Sequence, residues 1–338
     1  MNNISLFKKY VDLLDEVYKL GSCTNILDGS TALVKAGANA NEIIIPKIST
    51  EGLADYSRNG GYVSRNTTFT NETVTFNYDR GGKFSVDAMD NEETAGLAFG
   101  SLAADFVRTE TVPELDAFRF ATYAAEPMIS SASGTLASGE AVLAALVSAQ
   151  NTLDEDEVSP EGRYLFITPT LYNLAQNVDT YKSKAVFDGF AGVSKVPQSR
   201  FYTAIDMLDG TSEGETAGGY RKGTDHYEVT KSEPADWSAN YANYYTKSGS
   251  GYTAVTGGSA PSWAAETYYA KTASAGKDIN FMIIEKSAVI QYPKHTVNKV
   301  ISPEENQFSD SWMFFFRAYG LAAIYENRAA GIYLHHKA

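Results

Sequence analysis

Apolar and polar residues alternate with a period of two at Val74, Phe76 and Tyr78 against Thr75, Asn77 and Asp79, the pattern of a half-buried strand. This alternation lies inside a turn-rich stretch, EGLADYSRNGGYVSRNTTFTNETVTFNYDRGGKFSVDAMD, that begins at Glu51. The stretch predicts a long β-ribbon, reaching roughly 50 Å if each arm holds about fifteen residues at ~3.3 Å rise. A two-stranded ribbon is at best marginally stable in water. It needs a surface to lie on, and another copy of the same chain is the surface expected here. Immediately after it the period changes to that of a helix. Asp90 precedes Asn91-Glu92-Glu93, an acceptor at the cap with a carboxylate three residues on. Ala95, Phe99, Leu102 and Phe106 then repeat at helical spacing. Pro113 should kink or break the run, yet Leu115, Phe118, Ala121 and Ala125 resume it. A nearly continuous helix would be roughly 50 Å long at ~1.5 Å per residue. Ribbon and helix together suit a flat, plate-like subunit.

Upstream, Leu6, Tyr10, Leu13, Leu14 and Val17 share one helical face, and Gly21 supplies a stop. Glu42 to Ile48 reads as a short apolar strand. Downstream, Ala132 to Gly139 is a small, polar linker, and Ser138 is a candidate cap for a helix over Glu140–Leu153. That helix runs into Asp154-Glu155-Asp156-Glu157, read as a solvated acidic turn because calcium loops space their ligands around a glycine. Tyr164–Thr168 is a buried strand, and Pro169 opens another helix through Leu171 and Leu174. Val178 to Arg200 is loop-rich. Trp237-Ser-Ala-Asn-Tyr-Ala-Asn-Tyr-Tyr-Thr-Lys is echoed by Trp263-Ala-Ala-Glu-Thr-Tyr-Tyr-Ala-Lys, too few copies for a solenoid. Trp237, Tyr244, Tyr245, Trp263, Tyr268 and Tyr269 are expected to form the core of a small β-rich insertion. The alternative is an exposed aromatic surface for a glycan or a decoration protein. Ile279–Glu285 is a buried strand, Ala288–Val300 is extended structure interrupted by Pro293, and Phe314–Tyr333 gives closing strands.

At 338 residues and 43% hydrophobic the chain has ample core for two domains. Its formal charge of -13 repels nucleic acid at long range and disfavours direct DNA recognition. Cys23 is the single cysteine, so no intrachain disulfide forms. No long apolar h-region follows Met1, so no signal peptide is expected. Trp312–Tyr325, the most apolar tract, is short and carries Arg317, so it is not read as a membrane span.

No nucleophile elbow, phosphate loop, HExxH or CxxC occurs. His335 and His336 would point to opposite faces of a strand and so make a poor metal pair. Asp87 and Asp90 are explained by a helix start rather than by acid–base work. The expectation is no enzyme, no metal and no cofactor.

The runs GLADYSRNGGYV, ETVTFNYDRGGKFSVDAMDNEETAG and VPELDAFRFA, with Tyr292-Pro-Lys-His, Phe308, Arg317-Ala-Tyr and Gly331-Ile-Tyr-Leu-His, resemble the major capsid proteins of tailed bacteriophages, of Hong Kong 97-type fold. The resemblance spans most of the chain except roughly Asp206 to Gly276. It implies an α+β fold. The N-terminal arm would be 1–48, the extended loop 49–90, and the spine helix with peripheral domain 91–130. The axial domain would be 131–205 and the insertion 206–276. Strands 277–310 would return to the peripheral domain, and 311–338 would close the peripheral and axial domains. It further implies hexamers and pentamers of an icosahedral head around double-stranded DNA held without sequence-specific contact. A separate scaffolding protein, a portal and a possible decoration protein would be partners, with assembly in the bacterial cytoplasm and residence in the virion. Arg58, Arg65, Asp79 and Arg80 would then make contacts between copies. A solvated strand face accounts for the same charges without them, since exposed pairs contribute only ~0–1 kcal/mol. Some members of this family join subunits through a lysine–asparagine bond. Lys83 lies near the ribbon, but no partner motif matches. Two alternatives stand: an encapsulin-like compartment of the same fold, and a β-rich glycan-binding or adhesin protein.

Overall fold

A computed structural model describes residues 21–28, 35–36, 42–89, 106–178, 180–211, 218–223, 226–228, 244–248, 251–255, 268–271 and 275–338. The amphipathic helix expected over Leu6–Leu20, the cap at Asp90, Trp237 and Trp263 lie outside these residues. The chain divides into two compact units. One, the ribbon unit, holds residues 28–88 and 290–323; the other, the core unit, holds 1–27, 89–289 and 324–338.

The ribbon unit opens with β1 (Lys35–Ala36), β2 (Glu42–Thr50) and β3 (Thr67–Thr75), in the order β1-β2-β3. β2 and β3 are antiparallel from Glu42↔Thr75 to Thr50↔Thr67. The outgoing arm of the ribbon is therefore the Ile43-Ile44-Ile45 strand, which lies before the stretch whose turn residues suggested the ribbon. Residues 51–66 form its tip. After a two-residue break comes β4 (Tyr78–Asp87), which turns away to a different sheet.

In the core unit a π-helical turn, Val107–Thr111, runs into α1 (Val112–Ala124). Phe106, Thr111 and Val112 all have α-helical dihedrals, and Val112 N–H bonds Val107 C=O, five residues back. Pro113 therefore does not break the helix. The wide turn sits where proline removes a backbone donor, and proline is tolerated in a first turn. Then follow β5 (Ser130–Ser133), α2 (Gly139–Glu155), β6 (Arg163–Ile167), α3 (Pro169–Gln176), α4 (Thr180–Phe187) and β7 (Gly192–Lys195). β8 (Ile205–Met207) and β9 (Tyr220–Lys222) form a two-stranded ladder. β10 (His226–Glu228), β11 (Tyr244–Ser248), β12 (Gly251–Ala254) and β13 (Tyr268–Lys271) form a sheet of order β10-β13-β11-β12. β14 (Ile279–Glu285) returns to the main body.

The chain then enters the ribbon unit again as β15 (Val289–Ile301) and β16 (Ser311–Ile324), giving the sheet β15-β16-β4. β16 and β4 are antiparallel from Ser311↔Asp87 to Gly320↔Tyr78. Contrary to the expected interruption, Pro293 lies within a continuous β15, which is an edge strand where a missing N–H is tolerated. The last strand, β17 (Ile332–His336), completes the five-stranded sheet β5-β17-β14-β6-β7 of the core unit.

That sheet is covered on both faces. Leu165, Ile167, Phe281 and Ile283 pack with Val142, Leu146 and Leu153 of α2. Phe166, on the opposite face of β6, meets Phe120 of α1 edge-on at 5.3 Å, and Phe120 meets Phe201 at 4.8 Å. Burial on both sides explains why β6 and β14 read as largely apolar runs instead of alternating. Ser138 caps α2 by accepting from Ala141 N–H at 3.2 Å, as its position predicted. The next residue must be glycine, because a Cβ at Gly139 would meet the Leu174 carbonyl oxygen at 2.1 Å.

Candidate assembly interface

The ribbon changes character along its length. At its base Ile43 and Ile45 of β2 are buried, and Lys47 pairs with Glu72 at 2.8 Å. Beyond this point every residue from Ile48 to Gly60 is exposed. Ile48 and Phe69 are direct cross-strand partners, so their side chains share a face, yet they are 59% and 72% exposed. Leu53, Tyr56, Tyr62 and Val63 continue the apolar surface into the tip, with Tyr62 at 90% exposure. Thirteen large apolar residues are exposed among the described residues, and six lie between Ile48 and Phe69. Monomeric proteins seldom expose apolar side chains in so dense a cluster.

Four polar side chains of the tip, those of Glu51, Ser57, Arg65 and Asn66, bond within the ribbon itself. Glu51 N–H donates to Asn66 C=O at 3.3 Å, and Asn66 Nδ2 donates to Glu51 Oε1 at 3.4 Å. Arg65 donates to the Leu53 carbonyl at 3.2 Å and lies 3.6 Å from Glu51. A tight turn closes the end. Gly61 N–H donates to Ser57 C=O at 2.7 Å, Gly60 N–H donates to Ser57 Oγ at 3.1 Å, and Gly61 has φ of 72°, where a side chain would be strained. Across this turn the Tyr56 and Tyr62 rings sit 4.9 Å apart. Hydrogen bonds and an ion pair thus shape the tip, and its large apolar side chains stand exposed among polar ones.

The charged residues singled out from sequence take separate places. Arg65 is spent inside the tip, as above. Asp79, on β4, receives two hydrogen bonds from Arg317 of β16, at 2.8 and 2.7 Å, and this guanidinium holds its carboxyl below the ordinary range. Arg80 is half-buried in β4. Arg58 stands exposed at the tip and makes no ion pair with any described residue. The apolar tip residues carried a signal that charge patterning passed over: Leu53, Tyr56, Tyr62 and Val63 sit in a Gly/Asn/Ser-rich turn, where large side chains have no core to enter. In the insertion, Tyr245 faces Tyr269, Thr246 faces Tyr268, and Tyr244 is buried opposite Ala270.

A second polar construction anchors the segment before the ribbon unit. Asp116 of α1 is fully buried. Its carboxylate accepts from Ser22 Oγ at 2.7 Å, Thr24 Oγ1 at 2.7 Å, Cys23 N–H at 2.9 Å and Arg200 at 3.1 Å. Arg119 donates to Thr24 Oγ1 at 2.8 Å. Burial, then the Asp116 charge, push the Cys23 thiol up to about 11, so it is a poor nucleophile at neutral pH.

His335 is buried and His336, at the end of a strand otherwise buried throughout, is half-buried. Among the described residues no group of three or more His, Cys, Asp or Glu could hold a metal ion. Among them, too, no helix is long and apolar enough to cross a membrane.

No family profile and no curated protein matches the sequence. Solved structures do match. A virus-like particle from Pyrococcus furiosus is similar over 98% of this chain and 99% of its own, at 12% identity and a TM-score of 0.54. A structure of Mycobacterium phage Che8 is similar over 91% of this chain and 89% of its own, at 12% identity and 0.52. One of Gordonia phage Cozz is similar over 94% and 86%, at 10% identity and 0.50. Identity this low speaks of the fold, and by these likenesses the chain has the mixed α and β architecture of the Hong Kong 97-type capsid fold.

Proposed function

We propose that the chain is a major capsid protein that self-assembles into hexamers and pentamers of an icosahedral phage head enclosing double-stranded DNA. The observation that carries this reading is the exposed apolar ribbon from Ile48 to Phe69. Each such side chain contributes about 1.5–3 kcal/mol when fully covered. Covering several of them at every subunit contact would supply the driving force for a closed shell, whose repeated contacts each need roughly 1,000 Å² or more. A second copy suits the role of cover, because Glu51, Arg65 and Asn66 are already paired within the ribbon and Arg58 remains for a carboxylate of a neighbour. Arg65, Asp79 and Arg80 would act from within the subunit, by holding tip and sheet in shape. A scaffolding protein, a portal and a decoration protein belong to this reading as partners, with the virion as the destination.

The test is replacement of Leu53, Tyr56, Tyr62 and Val63 by serine, with Gly61 and the Ser57 turn kept. Particles by electron microscopy should vanish and soluble small oligomers should elute instead, while the melting temperature of the subunit stays close to that of the parent. Normal particles from this variant would refute the role given to the ribbon.

A second reading, a protein compartment of the same fold holding protein cargo, is favoured by the likeness to the archaeal virus-like particle along nearly the whole of both chains. The contents of particles purified from the native source separate the two: packaged DNA for the first, a stoichiometric protein cargo for the second.

A further inference from the structure

A cavity of about 510 Å³ opens in the core unit at the N-terminus of α3, between that helix, β14 and the segment around Pro197. Thr168 is the N-cap residue of α3, with extended dihedrals and a carbonyl that accepts from Tyr172 N–H at 3.0 Å. Its hydroxyl does not cap the helix and makes no hydrogen bond with any described residue. Yet Thr168 is only 5% exposed, and it lines the cavity. Unpartnered within the described residues, that hydroxyl can donate to a ligand acceptor. Pro169, at the first helical position, has no N–H, and the N–H groups of Thr170 and Leu171 belong to the turn that has no acceptors within a helix. Thr168, Thr170 and Leu171, which carry these three donors, all line the cavity, at the positive end of the helix dipole.

The local charge has the same sign. Lys337 lines the cavity and donates to Asp278 at 2.8 Å. Lys222 donates to the other oxygen of that carboxylate at 2.6 Å. One carboxylate faces two ammonium groups, which leaves a surplus positive charge beside the opening. The remaining wall is apolar, from Leu136, Leu171, Leu174 and Pro197. A strongly hydrated dianion would have to shed its water against these side chains. A monocarboxylate with a short aliphatic body meets both halves of the site.

We infer that this cavity is a binding site for a carboxylate bearing an apolar chain, its oxygens held by the Thr168 hydroxyl and the first turn of α3 and its charge balanced by Lys337. A small aliphatic acid and the C-terminal residue of a peptide share this chemistry. The inference does not depend on whether copies of the chain assemble.

Isothermal titration of the full-length soluble protein with sodium hexanoate at pH 7.5 tests it, with hexan-1-ol and sodium sulfate as comparators. Hexanoate should bind saturably, and at least ten-fold more tightly than either comparator. Thr168→Val should weaken it about ten-fold, and Lys337→Gln about three-fold, with circular dichroism melts confirming that each variant is folded; if Thr168→Val does not fold, Lys337→Gln decides. N-acetyl-leucyl-alanine and its C-terminal amide form the second arm. Tighter binding of the peptide acid than of hexanoate assigns the site to a chain terminus, and the reverse assigns it to a small acid. Equal binding of the hexanol or the amide, tighter binding of sulfate, no saturable heat, or undiminished affinity in the folded variants would overturn the inference.

Discussion

Arg317 and Asp79 face each other across β16 and β4 as a two-pronged pair: Nε donates to Oδ1 at 2.8 Å and a terminal guanidinium nitrogen donates to Oδ2 at 2.7 Å. Arg317 lies opposite Gly81 in the ladder, and Asp79 lies opposite Tyr319, so the bridge runs diagonally across two register positions. Tyr319 stacks on Phe76 at 4.9 Å, and Lys294 lies 4.5 Å over the Phe76 ring. The pair therefore ends a row of rings and cations along one sheet.

The lowered Asp79 pKa makes this bridge acid-sensitive. A carboxyl depressed by folding contributes its stability above the unfolded value near 3.9 and loses it as pH falls through the lower folded value. Asp79→Asn should therefore reduce stability at pH 7 and leave it nearly unchanged at the acid end. Because the pair is exposed, the loss should also shrink in 1 M salt. Urea midpoints of parent and variant at pH 7 and pH 3 check this; an equal loss at both would show that the ion pair is not the cause.

Asp116 should matter far more. Its fully buried carboxylate gathers Ser22, Cys23, Thr24 and Arg200 onto α1. Removing one partner from a buried, hydrogen-bonded charge network costs about 3–5 kcal/mol. Asp116→Ala should lose an amount of that order in chemical denaturation, and limited proteolysis should then cut between Gly21 and Leu27. A loss below about 1 kcal/mol, the net contribution of a single ordinary hydrogen bond, would contradict an anchoring role.

Glu157 is the one non-glycine residue at positive φ among the described residues, at 58°. It occupies the left-handed position that ends α2. Glu157 N–H bonds Asp154 C=O at 3.1 Å, Val158 N–H bonds Leu153 C=O at 3.0 Å, and Val158 packs on the core that holds Leu153. Glycine is the residue this termination favours. Glu157→Gly should raise stability by about 0.5–1 kcal/mol, the left-handed strain relieved less the added freedom of the unfolded chain, read as a higher melting temperature.

His335 supplies a second pH dependence, at milder acidity. It stacks on Phe281 at 5.1 Å and lies 3.0 Å from Asn280 Nδ2, which also donates to Gly134 C=O at 2.9 Å. The amide is therefore the donor to Nδ1, and the ring is neutral with its proton on Nε2. Burial, then the neighbouring His336 charge, lower its pKa. The unfolded chain binds this proton more readily, so the stability contributed is full above pH 6.5 and falls as pH drops from there toward the folded value. Replacing it, as His335→Gln, should flatten stability between pH 7 and pH 5. An unchanged slope would place the titration elsewhere.

Local chemistry is legible in this chain wherever neighbouring residues settle the conformation. The Ser138 cap, the start of α3 at Pro169 and the strand Ile279–Glu285 all follow from spacing and side-chain type. The likeness of ordered motifs to capsid proteins likewise anticipated the fold. Other features depend on partners distant in the sequence. Nothing near Asp154 indicates that Arg163, almost fully buried, will pair with it at 2.7 Å, so the acidic run read as wholly solvated. Alternation at Val74 to Asp79 is correct for a strand, but a period of two is blind to the strand's partner. Residues 67–75 pair backward with 42–50, while 78–87 pair with a strand more than two hundred residues later. Pairing is set by hydrogen bonds between distant backbones, and it is this choice that leaves Ile48, Leu53, Tyr62 and Phe69 without a core of their own.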